Sequence, residues 1–195
     1  MIKEFEKLNE LRKSAKEEGI PVLRQSSFNL LISFITALKP KKILEIGTAY
    51  GCSSIGMLLA SKNSKLVTLE IDDRAVKRAK ENFKLFGVSD RVELFEGDAS
   101  EIIPIISGEF NFVFLDGPKS HYLEYMPYLK ELLVKGGVIF ADNVLLKEYS
   151  IGEPEKRNRT AHRNMQAFIN EMLNDKDFDT RLIDLEDGIL IAVAK

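Results

Sequence analysis

Two short stretches carry residue types that do chemistry. Asp116-Gly117-Pro118-Lys119 follows the apolar run Phe110 to Leu115, and Asp142-Asn143 follows Val138 to Ala141. If those runs are neighbouring strands, ~4.8 Å apart, two carboxylates and an amide carbonyl converge on one sheet edge. Such a hard-oxygen set suits Mg²⁺, Mn²⁺ or Ca²⁺ and not zinc. Lys119 beside a cation has the chemistry of a proton acceptor, because a nearby positive charge lowers the pKa of an amine. Taken singly, each residue has a plainer role: Asp116 as a turn residue, Asp142 and Asn143 as loop formers, Lys119 as a solvated charge.

A second group lies earlier. Glu45-Ile46-Gly47-Thr48-Ala49-Tyr50-Gly51-Cys52-Ser53 reads as a strand running into a glycine turn and then a helix. The glycines permit positive φ and close approach of a ligand to the backbone. The N-H groups that open the helix suit a carboxylate or phosphate. Only two glycines are present, short of the three in the dinucleotide fingerprint. Glu70 follows Gly51 by 19 positions, close to the ~20-residue offset at which an acid meets ribose hydroxyls. Gly97-Asp98-Ala99 closes a third strand and offers Asp98 or a backbone N-H to an adenine; the alternative is that Asp98 caps the next helix. Cys52 reads as an inert core residue, His121 as a helix-start residue and His162 as a surface residue.

The elements that must position these groups alternate. Ile2, Phe5, Leu8 and Leu11 predict an amphipathic helix ending near Gly19 and Pro21, and a second helix follows the cap signal Ser26-Ser27 and stops at Pro40. Continuous apolar runs at Lys42 to Ile46, Lys65 to Glu70, Arg91 to Phe95, Phe110 to Leu115 and Val138 to Ala141 predict strands buried on both faces. Helices are expected at Ser53 to Ala60, Arg74 to Phe86, Ser100 to Ile106, Tyr122 to Val134 and Thr160 to Leu173. Right-handed crossovers between them give a doubly wound, Rossmann-like α/β sheet. Phe178 to Leu185 and Gly188 to Val193 leave no room for a crossover helix, so they form an antiparallel hairpin with Asp-Gly as its turn signal.

The 195 residues fit one domain, with 1–39 as a helical cap and 40–195 as the catalytic core. A net charge of -2 excludes a uniformly basic nucleic-acid binder. The charged N-terminus is not a signal peptide, and no apolar stretch approaches the ~20 residues of a membrane span. With a single cysteine there is no intrachain disulfide, so the expectation is a soluble cytoplasmic protein.

In combination these motifs are specific. Leu44-Glu45-Ile46-Gly47-Thr48 with Gly51 and Ser53, Glu70, Gly97-Asp98-Ala99, Asp116 with Lys119 and Tyr122, Asp142-Asn143-Val144-Leu145 and Asp187-Gly188 resemble the metal-dependent O-methyltransferases related to catechol and caffeoyl-CoA O-methyltransferases. The resemblance spans roughly residues 20–195 and implies a class I methyltransferase sheet closed by the hairpin, which a nicotinamide oxidoreductase lacks. It also implies S-adenosylmethionine along the glycine loop, with Glu45, Gly47, Thr48, Gly51, Ser53, Asp98, Ala99 and Asp116 around it and Glu70 on the ribose. By the same resemblance the metal lies on Asp116, Asp142 and Asn143, with Lys119 and Asp116 catalytic, and the protein is a homodimer. The sequence departs from the family pattern at Cys52, Leu146 and Glu148.

A cation with open positions chelates two adjacent oxygens, so the expected acceptor is a catechol or a hydroxyl beside a carbonyl. Within the family the chain most resembles bacterial tRNA 5-hydroxyuridine methyltransferases, through Asp142 to Lys147, the basic residues after it, and Phe178-Asp179-Thr180. Lys156, Arg157, Arg159 and Arg163, together with Lys147, could hold the phosphates of an RNA or of an anionic small substrate. A small phenol is the alternative acceptor, and a non-catalytic S-adenosylmethionine- or RNA-binding module is the alternative class.

Overall fold

A computed structural model describes residues 2–147 and 156–195, the side chains of 156–159 excepted. Two helices, α1 (Ile2–Glu17) and α2 (Gln25–Leu38), precede the alternating elements β1 (Lys42–Ile46), α3 (Cys52–Ala60), β2 (Lys65–Glu70), α4 (Asp73–Leu85) and β3 (Val92–Glu96). Then come α5 (Ala99–Ile102), β4 (Phe110–Leu115), α6 (Tyr122–Leu132), β5 (Leu133–Asp142), α7 (Lys156–Asn174), β6 (Phe178–Ile183) and β7 (Ile189–Ala194).

The described strands make one seven-stranded sheet in the order β3-β2-β1-β4-β5-β7-β6, in which β7 runs antiparallel to both neighbours. The predicted doubly wound sheet with a terminal hairpin is therefore the fold. Chain order reverses between β1 and β4, and in open α/β sheets the ligand crevice opens at such a point, beyond the carboxyl ends of the strands.

Period-two alternation divides each central strand between two cores. Val113 and Leu115 of β4 pack with Tyr122, Met126 and Phe168, whereas Phe112 and Phe114 pack with Ile35, Ile55 and Phe140. Both faces are covered, which explains why these strands read as unbroken apolar runs.

Three expectations about the elements change. β5 begins at Leu133, five residues before the predicted start, because Gly136 (φ +75°) and Gly137 lie within the strand and do not end it. Ser26 and Ser27 lie inside the first turn of α2; its N-cap is Arg24, whose backbone is extended and whose side chain makes no cap bond. The helix after β3 is a short α5 continued by a 3-10 turn at Ile103–Ile105.

Gly47 and Gly87 separate two costs of a side chain. Both have positive φ (+98° and +64°), but a Cβ on Gly47 would lie 2.7 Å from the Asp116 carbonyl oxygen, whereas one on Gly87 would meet nothing within 4 Å. Gly87→Ala is expected to lose about 1–2 kcal/mol of stability from left-handed strain alone, and Gly47→Ala clearly more, as measured by urea denaturation. Equal losses would contradict the close approach of β1 and β4 at this point.

Candidate active site

The glycine loop hangs from three strand ends. Asp116 N donates to Ile46 O at 3.0 Å, and Gly47 N and Thr48 N both donate to Leu69 O at 3.0 and 3.1 Å. Gly51 then caps α3 with φ +77° and no side-chain bond, so the first turn of that helix keeps its anion-binding character.

Glu70 ties the loop together. Its Oε2 accepts from Ala49 N at 2.7 Å, and its Oε1 accepts from Ile71 N at 2.9 Å and Asp72 N at 3.0 Å. The carboxylate thus lies at the mouth of the loop, bonded to backbone. Thr48 shares a hydroxyl contact of 2.6 Å with Thr68.

Glu45 does not open on the crevice as the resemblance implied. It is wholly buried and accepts from Ser53 Oγ at 2.5 Å, from Ser54 Oγ, and from Thr68 Oγ1 at 2.7 Å. Its strand position shares the face of Ile43, against α3, so the side chain braces the loop from below. Burial lifts its pKa to about 7 against the opposing pull of the three hydroxyls. Asp98 takes the capping role, accepting from Ser100 N at 2.8 Å at the start of α5.

The reactive edge is built by register. Leu115 of β4 pairs with Ala141 of β5 in parallel, so the next residues along, Asp116 and Asp142, end adjacent strands. Asp142 is 5% exposed, and burial, followed by the charge of Asp116, raises its pKa to about 6 although the Ser27 hydroxyl bonds it. Lys119 Nζ donates to Asp116 Oδ1 at 2.9 Å and to the Tyr122 hydroxyl at 2.8 Å. Burial pulls the Lys119 pKa down, but the phenol and the carboxylate outweigh it and hold the amine above its ordinary value. Tyr122 itself is fully buried, edge-on to Phe168 at 5.5 Å, and burial raises its phenol.

One lysine therefore faces two carboxylates, and among the described residues Asp142 forms no ion pair. Asn143 adopts a left-handed φ of +57°, with its Nδ2 3.5 Å from Asp187 Oδ2. No cluster of three or more His, Cys, Asp or Glu suited to a metal occurs among the described residues. Two carboxylates and an amide carbonyl nevertheless fit a hard divalent cation, whose charge would relieve the repulsion.

Sequence reasoning missed the groups behind this edge. Arg24 Nη2 pairs with Asp187 Oδ2 at 2.9 Å and Arg24 Nη1 with Glu186 Oε2 at 3.3 Å. Leu145 N donates to Asp187 O at 2.7 Å and Val144 N to Gly188 O at 3.1 Å. Ser26-Ser27 is visible in the sequence only as a cap signal, and Asp187-Gly188 only as a turn and as one motif of the resemblance.

Other expected residues stand apart from this edge. His121 Nδ1 lies 2.7 Å from Glu124 Oε2, and Cys52 is 8% exposed with burial pushing its thiol up to about 12, as an inert residue should be. Lys147 is exposed and forms a surface ion pair with Asp184. Arg163 is exposed on α7, while Glu148 and the side chains of Lys156, Arg157 and Arg159 lie outside the described residues.

The strained acid pair predicts a pH signature. Asp142 has a folded pKa near 6 against an ordinary 3.8, so the stability it contributes is full below about pH 4 and lost as pH rises through 6. In metal-free protein, Asp142→Asn should match the wild type at pH 4 and exceed it by on the order of 2 kcal/mol at pH 8. Urea denaturation across that range checks it, and a pH-independent difference would contradict it.

The O-methyltransferase family model matches residues 2–195. A catechol O-methyltransferase of Niastella koreensis is 33% identical over 93% of this chain and 87% of its own length. A caffeoyl-CoA O-methyltransferase of Stellaria longipes is 28% identical over 96% of this chain and 83% of its own. The SAH-bound Podospora anserina methyltransferase PaMTH1 superposes with a TM-score of 0.82 at 26% identity, covering 100% of this chain and 87% of that one. The chain belongs to the O-methyltransferase family and is a class I S-adenosylmethionine-dependent enzyme.

Proposed function

We propose that this enzyme is a divalent-cation-dependent O-methyltransferase whose acceptor carries two adjacent oxygens, of the catechol or hydroxycinnamoyl kind. The observation that carries the reading is the enclosed Asp142 beside Asp116, where Lys119 pairs with Asp116 and, among the described residues, Asp142 forms no ion pair. The names of the relatives, catechol and caffeoyl-CoA O-methyltransferases, support the acceptor class.

When bound, S-adenosylmethionine supplies an electrophilic methyl group on a sulfonium, and a divalent cation supplies the charge that gathers acceptor oxygens and lowers a hydroxyl pKa. The carboxylates of Asp116 and Asp142 and the carbonyl of Asn143 would hold that cation. The loop from Gly47 to Ser53 would hold the cofactor, with Glu70 and Asp98 at its adenosine side. Lys119 would take the acceptor proton. It gives up its own proton readily only when Asp116 is engaged elsewhere, since that carboxylate is one of the two groups stabilising its charge. Tyr122 fixes the amine in position, and the rigid strand ends supply alignment.

An RNA acceptor has narrower support. Lys147 shares its charge with Asp184 in an exposed pair, and Arg163 is the member of the basic run from Lys156 to Arg163 whose exposed side chain is described. In the host, deletion of the gene followed by mass spectrometry of tRNA nucleosides should leave 5-methoxyuridine-type modifications unchanged; their loss would select RNA.

Purified enzyme should methylate a catechol or caffeoyl thioester and leave a lone phenol unmodified. Chelator, or Asp142→Ala, should abolish turnover, and full activity in chelator would overturn the metal reading. Lys119→Met should lower kcat by about 10²–10⁴-fold with little change in KM; an unchanged kcat would remove Lys119 as the base.

A further inference from the structure

Arg12 is out of character with its helix. Lys3, Lys7, Lys13 and Lys16 of α1 are exposed, whereas Arg12 is 7% exposed and shares the inward stripe of Leu8 and Ala15. Its guanidinium lies over the Phe28 ring, 3.9 Å from the centroid. Nη1 donates to Gln25 Oε1 and Nη2 to Leu23 O, each at 2.7 Å. These partners are neutral, and among the described residues no carboxylate pairs with it. Its Nε is buried with no hydrogen-bond partner. A buried cation without a counter-ion is costly unless something anionic completes it.

The surroundings say what that is. Arg12 lines the same cleft as Gly47, Thr48, Tyr50 and Ser53, beside the start of α3, whose Gly51 cap makes no side-chain bond. The one acid among the residues lining this cleft, Asp116, is bonded to Lys119. The cleft thus combines an unpaired guanidinium with a helix N-terminus, and both favour a carboxylate.

We propose that Arg12 is a cofactor-binding residue that supplies the counter-charge for the carboxylate at the amino-acid end of S-adenosylmethionine. The proposal rests on the reading that the glycine loop holds the cofactor. It makes the N-terminal helix a wall of the cofactor site. Leu23 and Gln25 hold the guanidinium fork, and Phe28 fixes its plane, so little ordering remains when the ligand arrives.

The test compares two ligands by calorimetry: S-adenosylhomocysteine, and 5′-methylthioadenosine, which lacks the amino-acid end. Arg12→Met should weaken S-adenosylhomocysteine binding by about 10–100-fold and leave 5′-methylthioadenosine within about twofold, with Arg12→Lys intermediate. Equal weakening of both ligands would make Arg12 merely structural, and unchanged S-adenosylhomocysteine affinity would also overturn the proposal. If Arg12→Met does not fold, wild-type protein is titrated with the carboxamide of S-adenosylhomocysteine. A loss of similar size that shrinks in Arg12→Lys supports the pairing, and no loss, or an equal loss in Arg12→Lys, overturns it. Failure of wild-type protein to bind either nucleoside would instead overturn the cofactor reading beneath it.

Discussion

Two carboxylates brought side by side at the ends of neighbouring parallel strands repel each other, and burial sharpens the repulsion. The backbone leaves them no escape: β4 and β5 are central strands, held in register from Phe112 with Val138 to Leu115 with Ala141 and covered by helices on both faces. Asp116 eases its share through Lys119, while Asp142 is left with the hydroxyl of Ser27 and a raised pKa near 6. The core packing therefore holds a local charge imbalance in place. Such an imbalance at a ligand crevice is what supports the proposed cation.

The imbalance also gives the supporting residues a common purpose. Arg24 fixes Asp187, Asp187 lies against the amide of Asn143, and the 143–145 segment bonds back to the hairpin turn. The antiparallel strand β7 brings that turn to the carboxyl edge of β5, where its Asp187 and Gly188 carbonyls receive the Leu145 and Val144 N-H groups. On the opposite side of the crevice, Glu45 and Glu70 brace the glycine loop from below and from its mouth. The N-terminal helices join both halves, with Ser27 and Arg24 at the acid edge and Arg12 in the cleft beside the glycine loop.

Much of this could be read from residue order. The strands at Lys42–Ile46, Lys65–Glu70 and Phe110–Leu115 match their apolar runs end to end, because two-sided burial demands an uninterrupted pattern. Asp116, Lys119, Asp142 and Asn143 stood out because strand ends next to turn residues are where α/β chemistry gathers. The direction of Glu45 could not be read, since alternation assigns a face only once the packing of α3 is known. β5 reads short because a Gly-Gly pair normally breaks a strand, whereas here the pair lies in an irregularity between the Phe110–Leu133 and Phe112–Val138 pairings, after which the ladder resumes. Arg12 was legible in principle, four residues after Leu8 and three before Ala15, yet its charge disguised a core-facing position.

Asp116, Asp142 and Asn143 are the proposed seat of one divalent cation. Crystals grown with S-adenosylhomocysteine and Mn²⁺, measured for manganese anomalous scattering, address it directly. One strong peak is expected within about 2.0–2.6 Å of oxygens from all three residues. A peak elsewhere, or none with the cofactor product bound, would contradict it.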